Sequence, residues 1–221
     1  MKKYIYGKEV YLSNWFNGYA GIRLSDLDSY SLLENELIRD NESVKKFFLD
    51  KDSFTLTING HAINPANVAG HYILEISVDR CFCVCLSGKC NDPELYARFK
   101  ADVCVEVNVE QLVRLLEAGI HRLKGAAVVL GSVNYYSEPL MSSSPAFANP
   151  LFSKSDRYSV EDEYRIAITI PRNKTSVKSE SGEVVSLWSD DPKDKRHIFV
   201  SHEEHEAALS YISTVYRNTT T

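Results

Sequence analysis

The densest run of reactive side chains is Lys154-Ser155-Asp156-Arg157-Tyr158-Ser159-Val160-Glu161-Asp162-Glu163-Tyr164-Arg165-Ile166, which leads into an apolar stretch ending at Ile170. On an extended backbone side chains alternate between faces, so Glu161, Glu163 and Arg165 share one face and Asp162, Tyr164 and Ile166 the other. Two carboxylates about 7 Å apart along a strand, beside a guanidinium, have the reach to orient a ribose hydroxyl. They could also stabilise the positive charge that develops as a glycosidic bond breaks. The same pattern has a plainer reading, a solvent-facing edge strand whose Glu and Arg side chains pair across the sheet. Arg165 is expected to support the site without touching substrate, its guanidinium fork holding Glu163 ionised in one rotamer.

A second group is Cys85-Leu86-Ser87-Gly88 followed by Asn91 to Phe99. Ser87 would end a strand beside a glycine turn, where a hydroxyl and free backbone N–H groups can meet a ligand. Tyr96 and Arg98 could stack on and pair with a nucleotide-like substrate. The alternative is a turn and short helix that pack Leu95 and Phe99 on a sheet. Cys81, Cys83 and Cys85 are spaced two apart and would line one face of a strand, so a buried strand in a reducing compartment is favoured over zinc. His202 and His205 lack the i, i+4 spacing of helical zinc hydrolases, and no metal is expected. Nucleophile-elbow, phosphate-loop and dinucleotide-glycine motifs are missing from the sequence.

The elements that must position these groups are mostly short strands. Alternation or β-branched enrichment predicts strands at Val10 to Asn14, Phe54 to Asn59, Tyr72 to Ser77, Cys81 to Leu86, Val103 to Asn108, Ala126 to Tyr136, Tyr164 to Ile170, Glu183 to Trp188 and His197 to Val200. Helices are expected over Ser25 to Leu49 with breaks near Asp40, after Pro93, over Val109 to Ala118 capped by Asn108 and stopped by Gly119, and over Ser201 to Tyr216 behind a Ser201/Glu204 capping box. Ser181-Gly182 reads as a hairpin turn, and the Ser-, Pro- and Ala-rich stretch Ser137 to Ser155 as a loop covering a cleft. This uneven distribution predicts one α+β domain over residues 1–221, with a mixed or antiparallel twisted sheet and flanking helices.

The chain has 221 residues, 44% of them hydrophobic and 25% charged, which is enough to bury a substantial core. Charges at Lys8 and Glu9 interrupt any signal-peptide core and no stretch is apolar enough to span a bilayer, so a cytoplasmic location is expected. The net charge of -5 argues against a general nucleic-acid groove.

As a set, Cys83-Val84-Cys85-Leu86-Ser87, Asp92 to Phe99, Val133-Asn134-Tyr135, Lys154, Tyr158 and Glu161 to Ile166 resemble a bacterial family of uncharacterised proteins. In that family a Cys-Phe-Ser-like strand end precedes a Trp-x-x-Tyr-like short helix, a Val-x-Tyr strand and a closing Lys…Glu-x-Glu-(Trp/Tyr)-Arg signature. The likeness covers roughly residues 80 to 170; Leu95-Tyr96 stands where the family prefers Met-Trp, and the first third matches only through Tyr11-Leu12-Ser13 and Asn17. The order of elements also resembles that of ADP-ribosyltransferases, with an early Arg or His, a middle Ser or Tyr strand and a late Glu-x-Glu. That resemblance implies that Glu163 holds the nicotinamide ribose and Glu161 assists the acceptor, with Ser87 or Ser13 as the middle-strand hydroxyl. For the early Arg it offers only Arg23, the one arginine in the first 38 residues, and Arg23 follows the expected first strand. The implied activity is transfer of ADP-ribose from NAD to a macromolecular acceptor, as a toxin or defence effector; Tyr96, Arg98 and Tyr158 are then expected beside the substrate, with Arg165 behind Glu163 as its support. The competing expectation is a non-catalytic domain that binds a nucleotide or peptide in the same cleft.

Overall fold

Alternating burial makes the strands. In β1 (Lys2–Gly7) and β2 (Ile22–Asp26), Ile5, Ile22, Leu24 and Asp26 are buried while their neighbours are partly or fully exposed. Between them lies α1 (Glu9–Phe16). A 3-10 segment at Leu27–Leu32 leads to β3 (Val44–Leu49), a small hairpin of β4 (Thr57–Ile58) and β5 (His61–Ala62), and β6 (Tyr72–Ser77), which pairs back on β3. Next come β7 (Cys81–Ser87), α2 (Pro93–Phe99), β8 (Val103–Asn108), α3 (Val109–Ile120), β9 (Ala127–Ser132) and β10 (Asn134–Tyr136). The last part contains β11 (Ser153–Ser155), a 3-10 turn at Asp156–Glu161, β12 (Glu163–Thr169), β13 (Ser176–Lys178), β14 (Val184–Ser186), β15 (His197–Val200), α4 (His205–Leu209) and β16 (Ile212–Arg217). This computed structural model describes residues 1–32, 35–37, 42–121, 123–137, 149–179, 181–189, 191, 193–194 and 196–219.

The architecture is α+β, built on one eight-stranded sheet whose pairings are all antiparallel. β12 lies between β7 and β9, so the segment carrying Glu163 and Arg165 is internal to the sheet and the edge-strand reading does not hold. Along its other side β7 meets β2 at Cys83 and β1 at Ser87, and Val84 and Cys85 lie between the two junctions. The sheet forks there, into a β2–β15 arm and a β1–β8–β16 arm. One face carries Ile5, Phe82, Val84, Val105, Tyr164 and Ile166 under α3 and α1. The other carries Cys81 and Cys83 beside Ala167, Leu27 and Leu151, as the spacing of the cysteines predicted.

Several expectations are corrected. Val10 to Asn14 lies within α1, because Leu12, Trp15 and Phe16 fall on one helical stripe against the core while Val10 and Tyr11 stay exposed. Ser25 to Leu49 is not one helix: it holds the end of β2, the 3-10 segment Leu27–Leu32 and β3, which buries Lys45 and Phe47 and exposes Lys46 and Phe48, a period of two. The break near Asp40 lies outside the described residues. Ser201 to Tyr216 holds only the short α4, whose N-cap is Glu204 with no side-chain cap, before the β-branched run of β16 pairs with β8. Phe54 to Asn59 shrinks to Thr57–Ile58, Ala126 to Tyr136 breaks at Val133, and only Val184–Ser186 of Glu183 to Trp188 is strand. The expected Ser181-Gly182 turn does join β13 to β14, with Gly182 at φ +84°. Gly119 lies inside α3 and does not stop it; a Cβ there would meet Val200 Cγ1 at 2.6 Å, so the residue serves close packing. Residues 138–148 of the expected loop lie outside the described residues, and its end forms β11, parallel to β10.

Asn108 caps α3 as expected, its Oδ1 accepting from the N–H groups of Glu110 (3.1 Å) and Gln111 (3.3 Å). Asn108→Ala removes that acceptor and is expected to cost about 1 kcal/mol by urea denaturation, whereas Asn108→Ser or Asn108→Asp should cost much less.

Candidate functional site

At the fork, β7 and β12 bring Ser87 opposite Glu163 and Cys85 opposite Arg165. Period two then sets Glu163 and Arg165 on the face away from α3, where the fold buries them almost completely. Arg165 is 0% exposed. Its Nε donates to Glu163 Oε1 at 2.8 Å, its two terminal nitrogens donate to Glu42 at 3.1 and 3.0 Å, and Nη1 also donates to the Leu151 carbonyl at 2.7 Å. Lys154, projecting from β11, donates to Glu161 Oε2 at 2.8 Å and Glu163 Oε2 at 2.9 Å. Lys45 closes the network on Glu42 at 2.6 Å, and Arg98 at the end of α2 donates to Glu161 Oε1 at 3.0 Å.

Three carboxylates and three cations are thus buried together, with Arg98 as a fourth cation at the margin. Beside the Lys154, Glu161 and Glu163 side chains opens a cleft of about 490 Å³ including its mouth. Its remaining lining is Tyr4 and Tyr6 of β1, Tyr30 of the 3-10 segment, Cys85, Leu86 and Ser87 of β7, and Phe99 at the end of α2. Aromatic walls over a charged floor suit a flat, polar, cationic ring.

The two glutamates are shifted in opposite directions. Burial pushes the Glu163 carboxyl up, but the charges of Arg165 and Lys154 and the Lys154 hydrogen bond outweigh it and hold the group well below the usual carboxylate range. For Glu161 burial wins over the Lys154 charge and the carboxyl is raised. Glu42 is lowered despite burial because Arg165 and Lys45 lie against it. Burial would lower the Lys154 ammonium, but Glu163, Glu161 and Glu42 together raise it. Two carboxylates sharing one ammonium with their acidities driven apart form an arrangement in which one stays ionised and the other can exchange a proton.

Comparison with protein-family models, curated proteins and solved structures finds no match to this chain. The roles of the expected residues therefore rest on where the fold puts them. Glu161 and Glu163 line the cleft together, though not along one strand: Glu161 ends a 3-10 turn, Asp162 takes φ +43°, and β12 begins at Glu163. Ser87 lines the cleft, but its hydroxyl donates to the Glu161 carbonyl at 2.7 Å and accepts from the Lys89 N–H at 3.0 Å, which fixes the turn under Glu161. The neighbouring Gly88 N–H is likewise engaged, by the Asp162 carbonyl at 2.8 Å.

Arg98 reaches the site through Glu161. Tyr96 does not line the cleft: its ring packs edge-on against Tyr6 and its hydroxyl donates to Asn91 at 2.8 Å. Leu95 is fully buried and Phe99 stacks on Tyr6, as the packing alternative for this helix anticipated. Tyr158 is buried, with Lys154 Nζ 4.5 Å from its ring centre, and acts as a platform for that ammonium. Ser13 lies in α1, whose Trp15 and Phe16 pack on the α3 side, and it takes no part in the cleft. Arg23 lies on β2 and does not reach this cleft either; the first strand presents Tyr4 and Tyr6 in its place.

Sequence reasoning missed Glu42, Lys45, Tyr4, Tyr6 and Tyr30, and it named Lys154 without giving it a role. The Tyr4-x-Tyr6 alternation was a usable signal. Glu42 left none, because it meets Arg165 across 123 positions of chain. No group of His, Cys, Asp or Glu among the described residues is arranged to bind a metal ion, and no helix among them is long and apolar enough to cross a membrane.

Proposed function

We propose that the cleft binds the nicotinamide end of NAD and that the protein transfers ADP-ribose to a macromolecular acceptor in the cytoplasm. The carrying observation is the Glu161–Lys154–Glu163 bridge, at 2.8 and 2.9 Å, on the floor of an aromatic-walled cleft. Tyr4, Tyr6, Tyr30 and Phe99 would sandwich the pyridinium ring. Glu163, kept ionised by Arg165, would lie beside the ribose and stabilise the oxocarbenium-like state as the nicotinamide bond breaks. Glu161, made a stronger base by its raised pKa, would take the proton from the acceptor's attacking group. Lys154 holds both carboxylates and acts as a positioning residue.

A second reading, a domain that binds nucleotide without turning it over, is favoured by one fact. Both Glu163 oxygens are already engaged, by Arg165 and by Lys154.

The test measures nicotinamide released from NAD by the purified chain, with water as acceptor, alongside thermal shift with NAD and nicotinamide. Release by wild type that falls at least about tenfold in Glu163→Gln and in Glu161→Gln, with the fold retained, is expected. Equal release by wild type and Glu163→Gln would sink the transferase reading. Stabilisation by NAD without release would favour the binding domain.

A further inference from the structure

Four tyrosine hydroxyls hold the turn between β7 and α2. Tyr6 donates to the Lys89 carbonyl at 2.8 Å and accepts from the Asp92 N–H at 2.8 Å, so one side chain grips both ends of the turn. Tyr96 donates to the Asn91 side chain at 2.8 Å, and Asn91 takes a left-handed φ of +47°, which asparagine tolerates in a tight turn. The hydroxyls of Tyr4 and Tyr216 lie against the remaining residue, Cys90, and both donate to Glu106, at 3.3 and 3.4 Å.

Beneath this turn lies a second thiol. Cys104 stands on β8 opposite Tyr6 of β1 and Tyr216 of β16, and it packs in one cluster with Tyr4, Tyr6, Tyr96 and Tyr216. The side chains gathered around Cys104 are therefore the same four whose hydroxyls reach residues 89–92. Burial raises the Cys104 thiol, and the N–H of the amide that joins Cys90 to Asn91, lying against the sulfur, opposes that rise. The two cysteines share a place and differ in access: Cys90 is exposed and Cys104 is 0% exposed.

We propose that Cys90 and Cys104 are a reversible redox pair, joined as a disulfide by a small-molecule disulfide of the glutathione type. The accessible Cys90 thiolate attacks one sulfur of oxidised glutathione and expels one glutathione thiolate, leaving a mixed disulfide. Cys104 then gives up its proton, its sulfur attacks the Cys90 sulfur, and the second glutathione leaves as thiolate. Two protein thiols are oxidised, one glutathione disulfide is reduced, and the two protons end on the two glutathione thiols. A transient, sensing disulfide of this kind is the form compatible with a reducing compartment. Because α2 follows the turn directly and carries Arg98 and Phe99 to the first site, the link would tie that helix to β8. The inference does not depend on the transferase reading.

Trypsin separates the thiols, because cleavage after Lys89, Arg98 and Lys100 puts Cys81, Cys83 and Cys85 on one peptide, Cys90 on a second and Cys104 on a third. The folded wild-type chain is incubated with excess oxidised glutathione, alkylated, and mapped by mass spectrometry without reductant. Peptides 90–98 and 101–114 are expected to be linked in most chains and released by dithiothreitol, with Cys81, Cys83 and Cys85 still free. The link closes a loop of about 15 residues, so the melting temperature should rise by roughly 5 °C or more. Cys104→Ser should stop at glutathione on Cys90, and Cys90→Ser should give no link. Glutathione resting on Cys90 of the wild-type chain beside a free Cys104, a link to another cysteine, a chain that stays fully reduced, or a lower melting temperature in the linked form would overturn the proposal.

Discussion

Arg165→Ala is expected to lower the unfolding free energy by roughly 3–5 kcal/mol, the range for breaking a buried ion pair by removing one partner. The guanidinium is wholly buried and donates hydrogen bonds to both Glu42 and Glu163. Its loss leaves two carboxylates in the interior with only Lys45 and Lys154 to offset them, and the Leu151 carbonyl loses its donor. Arg165→Lys should recover little, because an ammonium cannot span two carboxylates in the plane of a fork. The loss comes from stranded charge, so Arg165→Met combined with Glu42→Gln and Glu163→Gln should be markedly more stable than Arg165→Ala alone. Chemical denaturation of the set decides it. A wild-type midpoint for Arg165→Ala would mean that solvent reaches the cluster and that the network does not hold the fork together.

How far this site was readable depends on which partners are local. Glu163 and Arg165 are two positions apart on a strand, and strand periodicity alone predicts their pairing. Glu161 was placed on the correct face for the wrong reason, since its approach to Lys154 comes from the 3-10 turn and the left-handed Asp162, not from strand alternation. Among elements, α3 was legible because its cap and apolar stripe agree, and β7, β8 and β12 because apolar runs bounded by turns leave few alternatives. β16 was misread because Ala208, Tyr211, Ile212 and Val215 fall at helical spacing; the β-branched content of Ile212 to Val215 was the truer signal, and it is pairing with β8 that gives it effect. β1 was not expected at all, although it supplies two walls of the cleft. The fork itself has no local signature: β7 reads as one unbroken strand, and only the registers of β1 and β2 against it open the space.

Lys154→Met should have the second largest effect, and one that depends on pH. The apolar stem is largely conserved and the ammonium is lost, so Glu161 and Glu163 face each other with one cation fewer. About 3 kcal/mol of destabilisation is expected near pH 8, the lower end of the range for stranding a buried charge. In the wild type, Glu42 and Glu163 have folded-state values below their ordinary ones, so their stabilisation is present above the ordinary carboxylate pKa and is lost as pH falls through the depressed values. Glu161 runs the other way: its raised value means that the folded state favours the proton, and its contribution weakens as pH rises through the raised value. Removing Lys154 raises Glu161 further and relaxes the depression of Glu163, so the folded variant binds protons more readily than the folded wild type. The stability gap between the two must then narrow as pH falls from 8 towards 5, because protonation of Glu161 relieves the stranded charge. Denaturation midpoints of both proteins across that interval measure the gap. A gap independent of pH, or one under about 1 kcal/mol throughout, would show that Lys154 is an exposed-type partner and not the bridge that holds the two glutamates.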